Sequence, residues 1–389
     1  MGDLTLTSLA NDIFVAADTV GREAVGYIPA VTMNADSTRA AVGDNVTAAF
    51  TAEAGALQDI GTGAMSVPEG VATSITGETL SLSNAKAVQI PLGAEQEKLL
   101  RNTGRYDSVY GDLIAQAMRK LTNQMEADLA LAAKNGARTV TGGTAGTAAF
   151  GSNLDLLASA RQQLVDGGAP QFDGNLQCVM NTAAGVNVRT DAAMFNANQS
   201  GSTDVREQGI LINAHGINLR ETGQAASHTK GTLAGSPLTD VTDAVGATSI
   251  AVNGGTGSST IVVGDSVQFG GAGQKYVVGT GTADASGGTI VLNGSGLIDA
   301  VANDSAVAID NNYTANSVFH RNAIELAMRA PAVPSVGDAA DDSLIVQDPH
   351  SGLVFEVRIY KGYRRTLLEV GAVWGVKVWK PDFVTTILG

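Results

Sequence analysis

The chain has 389 residues, room for two or three compact units. Its formal net charge is −14 with only 16% charged residues, a balance that argues against a protein gripping nucleic acid through phosphate contacts. Aromatic residues make up 5% against 44% hydrophobic, and 47 glycines stand beside 9 prolines, so bulk comes from Ala, Val and Leu and many turns rest on glycine. Residues 1–40 read as a short amphipathic helix over about 4–20, with Leu6, Leu9, Ile13 and Ala17 in one stripe, followed by an extended arm. A lone helix of this length cannot bury its own stripe, so it needs a partner surface. Residues 41–92 carry two alternating arms, Val42–Phe50 and Glu78–Ser83 with Ala87–Ile90, around a Gly-rich tip at Gly61, Thr62, Gly63 and Pro68. A two-stranded excursion of that length is marginal alone and is expected to lie on a neighbouring copy.

Residues 93–150 hold the organising element, one long helix over about 107–134. Leu113, Ala117, Leu121, Met125 and Leu129 recur at helical spacing on one face, while Arg119, Lys120, Asn123 and Glu126 are placed off it. At a rise of about 1.5 Å per residue this spine runs roughly 40 Å. Asp107 or Ser108 is the expected N-cap and Gly136 the expected left-handed C-cap. Thr139 to Gly151 reads as a loop. Residues 151–230 combine a helix over 154–165, ended by Gly167-Gly168, with a buried strand at Leu176–Met180 and a further strand and loop over 205–219. Residues 231–312 change style to short β runs separated by Gly, Asn and Asp, the pattern of a small inserted barrel or sandwich. Within 313–352, Asn322–Arg329 reads as a helix stopped by Pro331 and Pro334. Residues 353–389 hold strands at Leu353–Tyr360, Thr366–Val370 and Trp374–Trp379, expected to form the sheet under the spine.

The chemistry-bearing residues do not gather into a motif. His215, His228, His320 and His350 lack metal-ligand spacing with one another or with Cys178, so neither a metal nor a cofactor is expected. Cys178, the single cysteine, excludes an intramolecular disulfide and reads as a buried strand residue suited to a reducing compartment. Gly271-Ala-Gly273-Gln274-Lys275 lacks the Gly-Lys-Ser/Thr ending of a phosphate loop and sits between strands, as a turn does. Asp341-Asp342 reads as a solvated loop. Arg364-Arg365, between two strands, is a candidate for ion pairs between subunits. No catalytic residue is assigned. No stretch approaches a membrane span, and the N-terminus lacks the layout of a signal peptide.

Five stretches in order carry a resemblance: Val42-Gly-Asp-Asn-Val46, Leu121-Thr-Asn-Gln-Met-Glu-Ala-Asp-Leu129, Gly264-Asp-Ser-Val-Gln-Phe269 with Tyr276-Val-Val278, Phe319-His-Arg-Asn-Ala-Ile-Glu-Leu-Ala-Met-Arg329, and Trp374-Gly-Val-Lys-Val-Trp-Lys-Pro381. Together they resemble the major capsid (coat) proteins of tailed bacteriophages, the Hong-Kong-97-type fold, and among them the short-tailed Salmonella phage subgroup with an inserted β-domain. Gly142 to Gly151 matches nothing in that family. The resemblance implies an α+β fold: N-terminal arm 1–40, extended loop 41–92, P-domain 93–150 with the spine, A-domain 151–230 and 313–352 around an inserted β-barrel 231–312, and terminal P-domain strands 353–389. It further implies a non-enzymatic shell protein of the virion, assembled in the bacterial cytoplasm. Its partners would be itself in hexamers and pentamers, a separate scaffolding protein, a portal protein at one vertex, and packaged DNA enclosed without sequence-specific contacts or a membrane. Two other readings stay open: an encapsulin-like compartment shell, and a β-rich head-decoration or carbohydrate-binding protein.

Overall fold

The computed structural model describes residues 6–51, 75–102, 106–151, 154–196, 207–209, 211, 213–270 and 273–389. Chain order begins with α1 (Leu6–Glu23), β1 (Thr32–Ala40), the hairpin β2 (Asn45–Thr51) and β3 (Ile75–Ser81), then β4 (Asn84–Gly93), α2 (Ala94–Asn102) and the spine α3 (Tyr106–Gly136). It continues with β5 (Thr139–Gly143), α4 (Asp155–Asp166), β6 (Leu176–Asn181), α5 (Thr182–Thr190), α6 (Ala192–Phe195), β7 (Asn218–Thr222) and β8 (Ser227–His228). The inserted unit carries β9 (Gly235–Thr239), β10 (Ser249–Gly255), β11 (Ser266–Phe269), β12 (Lys275–Thr280), β13 (Gly287–Leu292) and β14 (Val307–Ile309). The last strands are β15 (Tyr313–His320), β16 (Ile324–Pro331), β17 (Ala340–Gln347), β18 (Val354–Gly362), β19 (Arg365–Val378) and β20 (Val384–Leu388).

Two sheets and one barrel organise this α+β chain. In the first sheet β19 is the long central strand. It takes β4 along one edge and, in succession, β18 and β16 along the other; β17 and the parallel strand β1 complete the sheet. Strand alternation divides its two faces. Leu326 and Met328 face the core under α3, whereas Ala327 between them meets Leu80 and Leu82 at the hairpin root. The second sheet runs β7-β6-β15-β20-β5 and is buried on both sides. Val179, Phe319 and Leu388 join the spine core, while Cys178, Val318 and Ile387 join the core under α4 and α5.

The inserted unit is a closed barrel in the order β9-β10-β13-β12-β11-β14, with the Leu238–Ala306 bridge joining the last strand to the first. Its ends meet: Lys230 N donates to Asn312 Oδ1 at 3.0 Å. The barrel is also fused to the second sheet. Tyr276 of β12 pairs with Val267 of β11 on one edge and with Thr139 of β5 on the other, and Val277 belongs to the spine core.

Several local expectations change. Asn322–Arg329 is a 3-10 turn at Arg321–Ala323 followed by β16, not a helix. Its Ala, Leu and Met favour a helix, but two ladders, to β19 and β1, outweigh propensity. Thr139–Gly143 is a strand because β20 and β12 flank it. Asp341 and Asp342 lie in β17: Asp341 pairs with Lys361 at 2.8 Å, and Asp342 caps α1 by accepting from Leu6 N at 2.9 Å. β16 and β17, expected within 313–352 of the A-domain, pair with the strands of 353–389. The α1 stripe finds its cover within the chain: Leu6, Leu9, Ile13 and Ala17 are buried in the same core as α3, so no neighbour is needed for them. Asp107 lies inside α3, which begins at Tyr106. Gly136 is required by proximity rather than by a left-handed turn, since a Cβ there would sit 2.6 Å from Val378 Cγ2.

Candidate assembly surfaces

The spine face is a built core. Ala117, Leu121, Met125 and Leu129 are buried, and Leu113 is half-buried against the same cluster. Glu126, expected on the polar side, is buried with 6% of its surface exposed. Its Oε2 accepts from Tyr27 N at 2.8 Å and its Oε1 from Ile28 N at 2.9 Å. Burial pushes this carboxyl above its usual range, opposed by the two backbone N–H groups and by Thr222. The carboxylate thereby fixes the turn that carries the chain from α1 into β1. Sequence reasoning missed this role because the partner backbone lies 98 and 99 residues away.

Two histidines are structural. His228 Nε2 lies 2.8 Å from Asp265 Oδ1 and His320 Nε2 lies 2.7 Å from Asp173 Oδ2, both rings being buried. Asn322 N donates to His320 Nδ1, so Nε2 carries the proton that reaches Asp173. This bond and neighbouring amides lower the Asp173 carboxyl to about 2. Burial pushes the Cys178 thiol up to about 12, so it stays protonated at neutral pH. Among the described residues no cluster of His, Cys, Asp and Glu is arranged to hold a metal ion, and no helix is long and apolar enough to cross a membrane.

Two exposed features are candidates for contact, the β2–β3 ribbon and the turn end of the first sheet. β2 and β3 pair from Asn45↔Ser81 to Thr51↔Ile75 as a separate two-stranded sheet. Leu80 and Leu82 pin its root over Ala327 and Val373. β3 crosses β19 so closely that a Cβ at Gly375 would lie 2.3 Å from Ser81 O. Lys377 Nζ adds contacts to Glu78 Oε2 at 3.0 Å and Thr79 O at 2.9 Å. Gly61, Thr62, Gly63 and Pro68 lie outside the described residues.

Arg364 and Arg365 sit at the β18–β19 turn, both exposed, with Arg364 in the left-handed region at φ 52°. Neither makes an ion pair among the described residues. Arg364 O accepts from Ala94 N at 3.1 Å, which places the start of α2 at the same end of the sheet. Tyr363 in this turn is 91% exposed, and Val336, in the loop before β17 at that end, is 95% exposed. Asp338 in the same loop pairs with Arg358 and meets Tyr360 Oη at 3.2 Å, which braces the loop against β18.

No protein-family model matches the chain, and no curated protein matches it in sequence. Among solved structures it is similar to one from Mycobacterium phage Che8, at 15% identity and TM-score 0.46, with 89% of this chain and 84% of that chain covered. It is similar to the capsid structure of the cyanophage P-SCSP1u at 13% identity and TM-score 0.48, with 94% and 88% covered. It is also similar to a virus-like particle from Pyrococcus furiosus at 8% identity and TM-score 0.41, with 97% and 98% covered.

Proposed function

We propose that this chain is a major capsid protein of the Hong-Kong-97 type, which assembles into an icosahedral shell around phage double-stranded DNA. The observation that carries the reading is the β2–β3 ribbon. It stands as its own two-stranded sheet, and among the described residues it is anchored to the body near its root, through Leu80, Leu82 and Val46 and through Lys377. A lone ribbon is marginally stable in water and gains burial by lying on another surface. A second copy of the chain supplies that surface at every position of a closed shell, as obligate interfaces do. The exposed end of the first sheet, with Tyr363, Arg364, Arg365 and Val336, is the second contact proposed here, and its arginines are the candidate ion-pair donors.

In this reading residues 1–40 are the arm, 41–92 the extended loop and 231–312 the insertion, while β16 and β17 count with the P-domain. The net charge of −14 suits a wall that encloses DNA without gripping it. Hexamers and pentamers of itself, a separate scaffolding protein and a portal protein are the partners, and the virion, assembled in the host cytoplasm, is its place. The test is electron microscopy of the purified protein expressed with its neighbouring structural genes. Uniform closed shells containing nuclease-protected DNA are expected. Monodisperse monomers would overturn the shell reading, and closed shells without DNA would favour a compartment.

A further inference from the structure

The last turn of a helix leaves carbonyls without intrahelical partners. At the spine one of these, Asn135 O, and the carbonyl of Ala137 just past the helix are met from the inserted barrel. Asn293, just past β13, donates from Nδ2 to Asn135 O at 2.7 Å and to Ala137 O at 2.8 Å. Gly279 makes room for it, since a Cβ there would lie 2.2 Å from Asn293 Oδ1. Arg138, two residues after the helix, answers in the opposite direction. Its Nε and Nη2 donate to Gly296 O at 3.1 and 3.0 Å, and its Nη1 pairs with Asp382 Oδ1 at 3.1 Å. The same Asp382 oxygen accepts from Ser295 N at 3.0 Å and Ser295 Oγ at 2.7 Å, closing a ring through the barrel turn. The β12–β5 ladder starts at this point, with Val277 N donating to Arg138 O at 3.1 Å.

A buried relay joins the same two bodies. Lys134, in the last turn of α3, lies with Nζ 3.3 Å from His228 Nδ1. An ammonium has only protons to give, so Nδ1 accepts and Nε2 carries the proton toward Asp265. Asp265 also accepts from Gly231 N at 3.1 Å and Val262 N at 2.7 Å, which ties the segment entering the barrel into the relay. Tyr313 closes the pocket, its ring 5.0 Å from that of His228 and its hydroxyl donating to Gly264 O at 2.6 Å. Lys134, His228 and Asp265 are all buried, and burial holds the Lys134 ammonium below its usual range despite the Asp265 charge.

We propose that the barrel is the C-terminal cap of the spine helix and that the two move as one coupled body, with Asn293, Arg138 and His228 as the positioning residues of the joint. The contacts run both ways, part-buried at Asn293 and Arg138 and buried at the Lys134–His228–Asp265 relay, so displacing either partner costs hydrogen bonds in the other. A shift of the spine end is therefore carried into the barrel, and a load on the barrel is carried into the spine. The inference concerns the single chain and does not depend on the shell reading.

Amide hydrogen exchange on the full chain tests it. Asn293→Ala is expected to speed exchange about tenfold in the spine's last turn, Ala133–Ala137, although the altered residue lies in the barrel. Arg138→Met is expected to speed exchange by a similar factor in the barrel turn 293–297. Asp304→Asn, an exposed barrel change outside the joint, is expected to alter neither. Should Asn293→Ala or Arg138→Met fail to fold, Arg138→Lys keeps the charge on Asp382 and gives up the paired contact to Gly296, with a smaller effect in the same place. Acceleration confined to the element that carries the substitution would overturn the coupling. So would a uniform acceleration across the whole chain.

Discussion

Leu121 faces the core at mid-spine with 3% of its surface exposed. Leu121→Asp places a carboxylate there without a partner, a cost of roughly 4 kcal/mol or more. The expected outcome is insoluble protein, and soluble L121D with an unchanged melting temperature would contradict the burial. Glu126 tests a subtler balance. Glu126→Gln keeps one acceptor for the Tyr27 and Ile28 amides but turns an NH2 group toward the other, so a loss of about 1–3 kcal/mol is expected in chemical denaturation. Its ionisation also has a sign. The folded-state carboxyl is raised, so the stability it contributes is complete below its unfolded range and is lost as pH rises through the folded value. Asp173 runs the other way. Lowered from 3.8 to about 2, it contributes stability above pH 4 that is lost as pH falls toward 2. Asp173→Asn should therefore flatten the acid limb of the melting curve between pH 4 and 2 relative to the parent chain. An identical limb would show that His320 and Asp173 are not coupled. Of these residues Leu121 was legible from spacing alone. Glu126 and Asp173 were not, because their partners are far away in sequence and only the fold brings them together.

At the scale of elements, periodicity was a good guide where one face alone is buried. The spine, α1 and α4 follow their apolar stripes closely. It failed at Ile324–Pro331, where helix-forming side chains alternate between two buried faces of a sheet, and at Thr139–Gly143, whose glycines suggested a loop. Both are strands because neighbours on each edge supply the hydrogen bonds. Alternation also read Thr366–Val370 and Trp374–Trp379 as two strands, although Gly371 to Val373 between them belong to one continuous β19. Gly375 is there because β3 crosses above it. Gly375→Val would drive side-chain atoms into Ser81 O and Leu80 Cδ2 and lift the hairpin root. The expected result is a loss of about 1–3 kcal/mol and faster proteolysis within β3, with cleavage mapped by mass spectrometry. Unchanged protection of Ile75–Ser81 would count against the crossing.

For the whole molecule, the shift in composition near Gly231 falls where the chain runs toward the barrel, whose first strand is β9. The barrel has its own core, from Ile250 and Val252 through Phe269 to Val307, and its two ends are joined by a hydrogen bond. What the sequence hid is how the barrel is attached. Alternation assigns Val277 to the barrel, yet it is buried in the spine core, and β12 lends an edge to β5. A module that only decorated the surface would be dispensable to the rest of the chain. This one covers the spine end, completes a sheet and fills part of the central core. Replacing 231–312 by a short Gly/Ser linker should therefore do more than remove a barrel. It uncaps Asn135 O and Ala137 O, leaves Lys134 buried without Asp265, and bares the edge of β5. Each lost hydrogen bond costs about 0.5–1.5 kcal/mol, and an open edge strand invites aggregation. The expected outcome is a sharp fall in soluble yield, with any soluble fraction melting well below the parent chain by calorimetry. A linker variant that is soluble and melts at the parental temperature would show the barrel to be an independent appendage, hung from the chain only at its two ends.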